Sequence, residues 1–250
     1  MSEPAGGPAG TNGGAPVERG WGKLILALLA FFLLPFWLHV RAFVPVERTM
    51  LLYVPALAAC TLVGWWAGGR VFLALVWVGM AVLLATQPAI SNESFYNLAR
   101  GWSLLLAGSF GLVCLFGTTG PFFPKALVAL GLSLVLALVM SSFGPVSAAD
   151  AKKAVAEELS RRNGQTMAAV NGLIERDPEN WRRLTNAFPW LAGWPARIEG
   201  DVKTYSDGGA AVFPAVLALQ SLAALALAWA TYHRLGRARL GPPLGRLGDF

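Results

Sequence analysis

Residues 210–232 read AAVFPAVLALQSLAALALAWATY, a run without one charged side chain. As a helix rising about 1.5 Å per residue the run reaches about 35 Å, enough to clear a hydrocarbon core of about 30 Å. Charge returns at once on its carboxyl side with His233, Arg234, Arg237 and Arg239. Residues 210–232 are therefore expected to cross a bilayer, and the rest of the chain can be read outward from them.

The composition agrees. Apolar residues make up 55% of the 250 positions and charged residues 14%, where a soluble domain carries about 25% charge to face water. Between Leu24 and Gly144 stand only five basic and two acidic residues, all near the ends of apolar runs. Those runs are residues 24–40, about 50–68, 71–89, about 102–118 and about 126–143. The first holds twelve Leu, Ile, Phe or Val residues, worth together roughly −4 to −7 kcal/mol for insertion, which outweighs Pro35 and His39. Only Gly69 and Arg70 separate the second and third, which predicts a tight antiparallel hairpin. Residues 1–21, rich in Gly, Pro and Ala, are expected to be a flexible tail. The apolar run behind them starts late and continues into further sequence, unlike a cleaved secretory signal.

The expected architecture is all-α: a polytopic transmembrane bundle of about six spans, five within residues 22–144 and the sixth at 210–232. A polar, partly amphipathic helical insertion fills 145–209, and a basic tail fills 233–250. Orientation follows from lysines and arginines in alternate connections. Arg19, Lys23, Arg70, Lys125 and four tail arginines fall on one side, and Arg41, Arg48 and Arg100 on the other. The count puts both termini in the cytoplasm of a bacterial-type inner membrane, and the insertion outside it.

Within the insertion, Ser147 and Asp150 form a capping-box pattern before a run of good helix formers. Asn163 and Gly164 are expected to interrupt that helix, and Met167, Val170, Leu173 and Ile174 to form the stripe of a second piece. Asp177 and Pro178 supply a cap and a first-turn proline for a third. Its face carries Trp181, Leu184 and Phe188, and Trp190 and Trp194 follow. Trp181, Trp190 and Trp194 read as interfacial anchors of a helix lying along the bilayer surface; a lid over a site between the spans, or a partner-binding patch, is the sharper alternative.

Small residues recur every fourth position at Ala56, Cys60, Gly64 and Gly68, and again at Ala129, Ser133, Ala137 and Ser141, as helix-packing faces require. Gln220 and Ser221 are the adjacent polar pair deep in a span; they either contact a ligand in a cavity or bond to a neighbouring helix. Cys60 and Cys114 lie in apolar runs and suggest neither disulfide nor metal. His39 and His233, at span ends, read as border residues reaching toward headgroups. No motif of nucleophilic, metal or phosphate chemistry appears, and no acid lies deep in a span to relay protons. No basic stripe interleaved with aromatics suggests nucleic acid. The expectation is a protein that is not an enzyme, with no cofactor and no nucleic-acid partner.

FPAVLALQSLAALALAWATYHRL followed by GPPLGRLGDF resembles the YybS-like family of uncharacterised bacterial integral membrane proteins, a domain of unknown function. The pattern of five spans and a polar insertion fits the same resemblance. That family is distantly similar to the S components of energy-coupling-factor transporters. The resemblance implies an S-component-like subunit that binds a small molecule for uptake, and further spans beyond the GPPLGRLGDF stretch, short of which this chain stops. The rival expectation is a non-transport scaffold or envelope assembly factor that docks a membrane or envelope protein through its insertion.

Overall fold

The computed structural model describes residues 20–33, 46–88, 93–117, 120–144 and 147–245. Helices α1 (Trp21–Leu33), α2 (Val46–Trp66), α3 (Val71–Thr86), α4 (Glu93–Phe116), α5 (Phe122–Phe143), α6 (Ala148–Arg176), α7 (Pro178–Ala187) and α8 (Trp194–Leu235) follow one another, with one 3-10 turn at Pro189–Leu191. Among the described residues there is no strand. Helices α4, α5 and the Ser206–Leu235 part of α8 are long and apolar enough to cross a membrane. The apolar parts of α2 and α3, Met50–Trp66 and Val71–Thr86, are shorter. Most of the expected tail, Pro35, His39 and Arg41 lie outside the described residues.

Helix α2 is the axis of the bundle, packed against α3, α4 and α8, while α5 closes on α4 and α8. Its small residues explain this place. Ala56 and Cys60 are fully buried, and a Cβ on Gly64 would overlap the Tyr232 ring of α8. The expected hairpin to α3 forms through Gly68, whose φ of 91° lies in the left-handed region that glycine enters without a Cβ penalty. There the Gly69 amide donates to the Gly64 carbonyl at 2.8 Å and the Gly68 amide to Trp65 at 2.9 Å, a Schellman closure. On α5, Ala129 and Ser133 are buried. Ser133 Oγ donates to its own helix at Ala129 O, 2.7 Å, with Leu105 O of α4 at 3.4 Å.

Outside, the bundle is apolar. Phe72, Leu75 and Leu83 of α3, Leu138, Met140 and Phe143 of α5, and Val212 and Leu219 of α8 are all exposed. A soluble monomer rarely shows so continuous an apolar surface; a helix facing lipid must.

The insertion differs from expectation in two ways. Helix α6 runs unbroken through Asn163 and Gly164. An internal glycine costs about 1 kcal/mol relative to alanine, and burial of Ala154, Val155, Met167 and Val170 outweighs it. The helix containing residues 210–232 also starts earlier, at Trp194, and is a single helix of 42 residues, about 63 Å long. Its partner is α6. Ala154 and Val155 cluster with Ala210 and Phe213, a Cβ on Gly209 would stand 3.0 Å from Leu159, and Asn163 Nδ2 lies 3.5 Å from Ser206 Oγ. The residue numbers run oppositely, so the two helices form an antiparallel hairpin. Phe95 of α4 packs edge-on to Phe213 with ring centroids 6.1 Å apart and ties the hairpin base to the bundle. The capping box of Ser147 and Asp150 and the Asp177 cap with Pro178 form as read from the sequence.

Candidate functional site

Of the two adjacent polar residues in α8, one faces in and one out, because neighbours on a helix point about 100° apart. Ser221 is fully buried. Its hydroxyl donates to Leu217 O at 2.7 Å and accepts the indole N–H of Trp102 at 2.9 Å, joining α8 to α4. Gln220 is exposed on the outer surface of α8 and makes no hydrogen bond among the described residues. The pair therefore does not converge on one interior point. Tyr53 and Thr231 make a similar link between α2 and α8 at 2.6 Å. Thr231 spends its proton on Leu227 O, so Tyr53 is the donor.

A buried polar assembly lies where α1 starts, α2 and α4 end, α5 starts and α8 ends. His233 is not a border residue reaching outward. It is 5% exposed, and its ring lies 4.9 Å from that of Trp229. Arg239 Nη1 stands 3.2 Å from His233 Nδ1 and donates to His233 O at 3.1 Å. A guanidinium only donates, so Nδ1 accepts and the imidazole proton sits on Nε2. Among the described residues Nε2 is buried without a partner, as is Tyr232 Oη. Lys125, which the charge count placed in a connection, sits in the first turn of α5 and is 5% exposed. It donates to Leu240 O at 2.6 Å and lies 5.0 Å from the Trp229 ring centre.

What buries these groups is the segment after α8. It folds back over the bundle end instead of trailing away, with Leu240 and Leu244 buried. Its carbonyls accept from three helices of the bundle, α5, α8 and α1: Leu240 O from Lys125, Pro242 O from Trp229 at 3.2 Å, and Gly245 O from Trp21 at 2.9 Å. Gly241, at φ 152°, passes so close to Gly120 O that a Cβ would stand 2.5 Å from it. Cys60 and Cys114 are buried and free nearby in the core. Among the described residues no three His, Cys, Asp or Glu side chains gather as a metal ion requires.

At the other end, the α6–α8 hairpin encloses one acid. Glu158 is fully buried and holds Arg161 through Nε at 2.9 Å and Nη2 at 2.8 Å, and Arg162 through Nε at 2.6 Å. Burial alone would push the Glu158 carboxyl up; the two guanidinium groups outweigh it and hold it below the usual carboxylate range. Beyond, α7 has no buried residue. Leu184, Phe188 and Trp190 are exposed, while Trp181 and Trp194 are half-buried.

Three features escaped the sequence reading: buried Lys125, buried His233 and the enclosed Glu158. The first had a signal, since PFFPKAL puts prolines where a helix begins and so places Lys125 inside α5. Glu158 had the i+3 and i+4 spacing to Arg161 and Arg162, although spacing does not report burial. No family model, curated protein or solved structure matches the chain.

Proposed function

We propose that the chain is a six-span protein of a bacterial inner membrane, with both ends of the chain on the cytoplasmic side, that acts as a scaffold for an envelope partner. The observation that carries the reading is the unbroken α8. The sixth span and the insertion share one helix, braced along its outer half by α6, which carries the buried Glu158 ion cluster within itself. Such a hairpin is a stalk and a poor lid, because a lid needs a hinge where the helix leaves the bilayer. At its tip α7 and the turn after it present Leu184, Phe188 and Trp190, the aromatic-rich surface that suits a protein contact or the membrane interface.

Uptake of a small molecule, as the YybS-like resemblance implies, is the second reading. The unpartnered Nε2 of His233 and Oη of Tyr232 favour it, since a polar ligand would satisfy them.

A photoactivatable residue at position 184 or 188 separates the two in living cells. The scaffold reading expects one discrete cross-linked protein, lost when Phe188→Glu disrupts the face. Absence of any protein adduct, with thermal stabilisation of the purified chain by a metabolite, overturns it in favour of uptake. A true substrate at about 100 times its Kd adds about 2.7 kcal/mol.

A further inference from the structure

Two partly buried arginines, Arg161 and Arg100, differ in what their Nε and Nη2 atoms meet. Nε and Nη2 of Arg161 point side by side and grip both oxygens of Glu158, at 2.9 and 2.8 Å. In Arg100 of α4 the same two atoms, Nε and Nη2, are buried and have no hydrogen-bond partner among the described residues. Among the described residues no carboxylate pairs with Arg100. The guanidinium is held in place from one side by Tyr96, one turn earlier, with Cζ 4.4 Å from the ring centre.

A guanidinium keeps its charge in proteins, so it cannot escape burial by losing a proton as a lysine does. Two parallel N–H donors removed from water and left empty cost free energy that an oxyanion would restore by accepting both at once. The position selects the kind of oxyanion. Arg100 stands just before the apolar run that Trp102 opens, with Tyr96 and Trp102 on either side of it in sequence. Aromatic residues gather at the depth of lipid headgroups. We infer that Arg100, stacked on Tyr96, is a phosphate-binding site at the insertion end of the bundle, taking a phosphate group through Nε and Nη2. The phosphate is that of an anionic lipid headgroup or a free phosphate; the headgroup source rests on the membrane reading above.

The test uses the full chain with two probes: inorganic phosphate added to the detergent-solubilised protein, and vesicles of phosphatidylcholine with or without equimolar phosphatidylglycerol. Thermal unfolding is followed by tryptophan fluorescence, and membrane association by vesicle flotation. The expected result is a rise of several degrees in Tm with at least one probe. Arg100→Lys keeps the charge and loses the fork, and should lose most of that rise; Arg100→Gln should lose all of it. A response to free phosphate in detergent identifies a soluble anion, and a response only to phosphatidylglycerol identifies a lipid. Equal responses of Arg100→Lys and the unaltered chain would show charge attraction without a fork and overturn the site. So would an Arg100→Gln chain that is markedly less stable with neither probe present, because the arginine would then be serving the fold alone. A chain that fails to float overturns the membrane reading and its headgroup source. A chain that floats yet responds to neither probe overturns the site and leaves the membrane reading standing.

Discussion

Replacing Glu158 by glutamine tests whether the insertion is one rigid hairpin. The substitution keeps volume and removes the charge that three short hydrogen bonds to Arg161 and Arg162 address. Losing one member of a buried ion pair costs about 3–5 kcal/mol when the other is left dry. Here Arg161 and Arg162 keep 36% and 21% exposure and can be rehydrated, which lowers the expected loss to about 2–3 kcal/mol. At 1.4 kcal/mol per factor of ten, amide hydrogen exchange in the hairpin should accelerate about 30- to 150-fold. Mass spectrometry of the detergent-solubilised chain reads this by peptide: the faster exchange should cover α6 and the first half of α8, and spare α2 and α4. The pH dependence has a fixed sign. The folded Glu158 carboxyl lies below its ordinary range, so its contribution is complete above that range and disappears as pH falls through the folded value. Protection of α6 in the unaltered chain should therefore hold from neutral pH down to the carboxylate range and fall only below it; Glu158→Gln should abolish that acid step. Unchanged exchange in α6, or acceleration confined to the bundle, would refute the reasoning.

Lys125→Met should release the segment after α8 by removing the donor to Leu240 O; tryptic cleavage after Arg237 and Arg239 is expected to quicken about tenfold, as for a lost hydrogen bond to a charged group of about 1.5 kcal/mol. Ser221→Ala strands the Trp102 indole N–H and should cost about 0.6–2 kcal/mol in reversible unfolding in mixed micelles. Gln220→Leu, on the outer face, should unfold no more easily than the unaltered chain, and a clear loss there would mean that the amide has a partner. Gly64→Ala forces a Cβ into the Tyr232 ring and should abolish a monodisperse elution peak. Gly68→Ala meets open space but keeps a left-handed φ, and should lower stability by only about 1–2 kcal/mol.

The apolar runs were legible because nothing but lipid or a large core accommodates them, and the helix starts at Ser147 and Asp177 because a cap is a local bargain between a side chain and nearby amides. The start of α8 was not legible. The stretch Ser206, Asp207, Gly208, Gly209 looks like a linker, and only the approach of Leu159 shows why a residue without a side chain belongs there. The continuity of α6 through Gly164 is likewise a tertiary effect that overrides local propensity. At Gln220 and Ser221 the sequence announced two polar groups in a span, but not which would face inward, since that depends on where α4 lies. Lys125 and His233 were misread for one shared reason. The GPPLG segment that buries them has no hydrophobic period, so nothing in its pattern says that it folds back.

The two ends of the bundle are built on opposite principles, and the difference bears on where activity lies. At the end near Trp229, the returning segment meets side-chain donors of α1, α5 and α8 with its own carbonyls. Main-chain acceptors of this kind keep Lys125 inside the protein without needing an acid beside it. At the other end the structure leads outward: α8 continues, α6 braces it, and the exposed apolar residues of α7 stand at its far end. Arg100 lies at the base of that projection with its fork empty. The closed end meets Trp21, Lys125 and Trp229 with carbonyls of its own chain, while Nε2 of His233 and Oη of Tyr232 stay unpaired there among the described residues; the open end leaves an aromatic face and the Arg100 guanidinium for something else. The insertion end is accordingly where a partner or a phosphate would engage, and mutations at its exposed Leu184 and Phe188 or at Arg100 should alter binding before they alter folding, in the reverse order from mutations around Lys125.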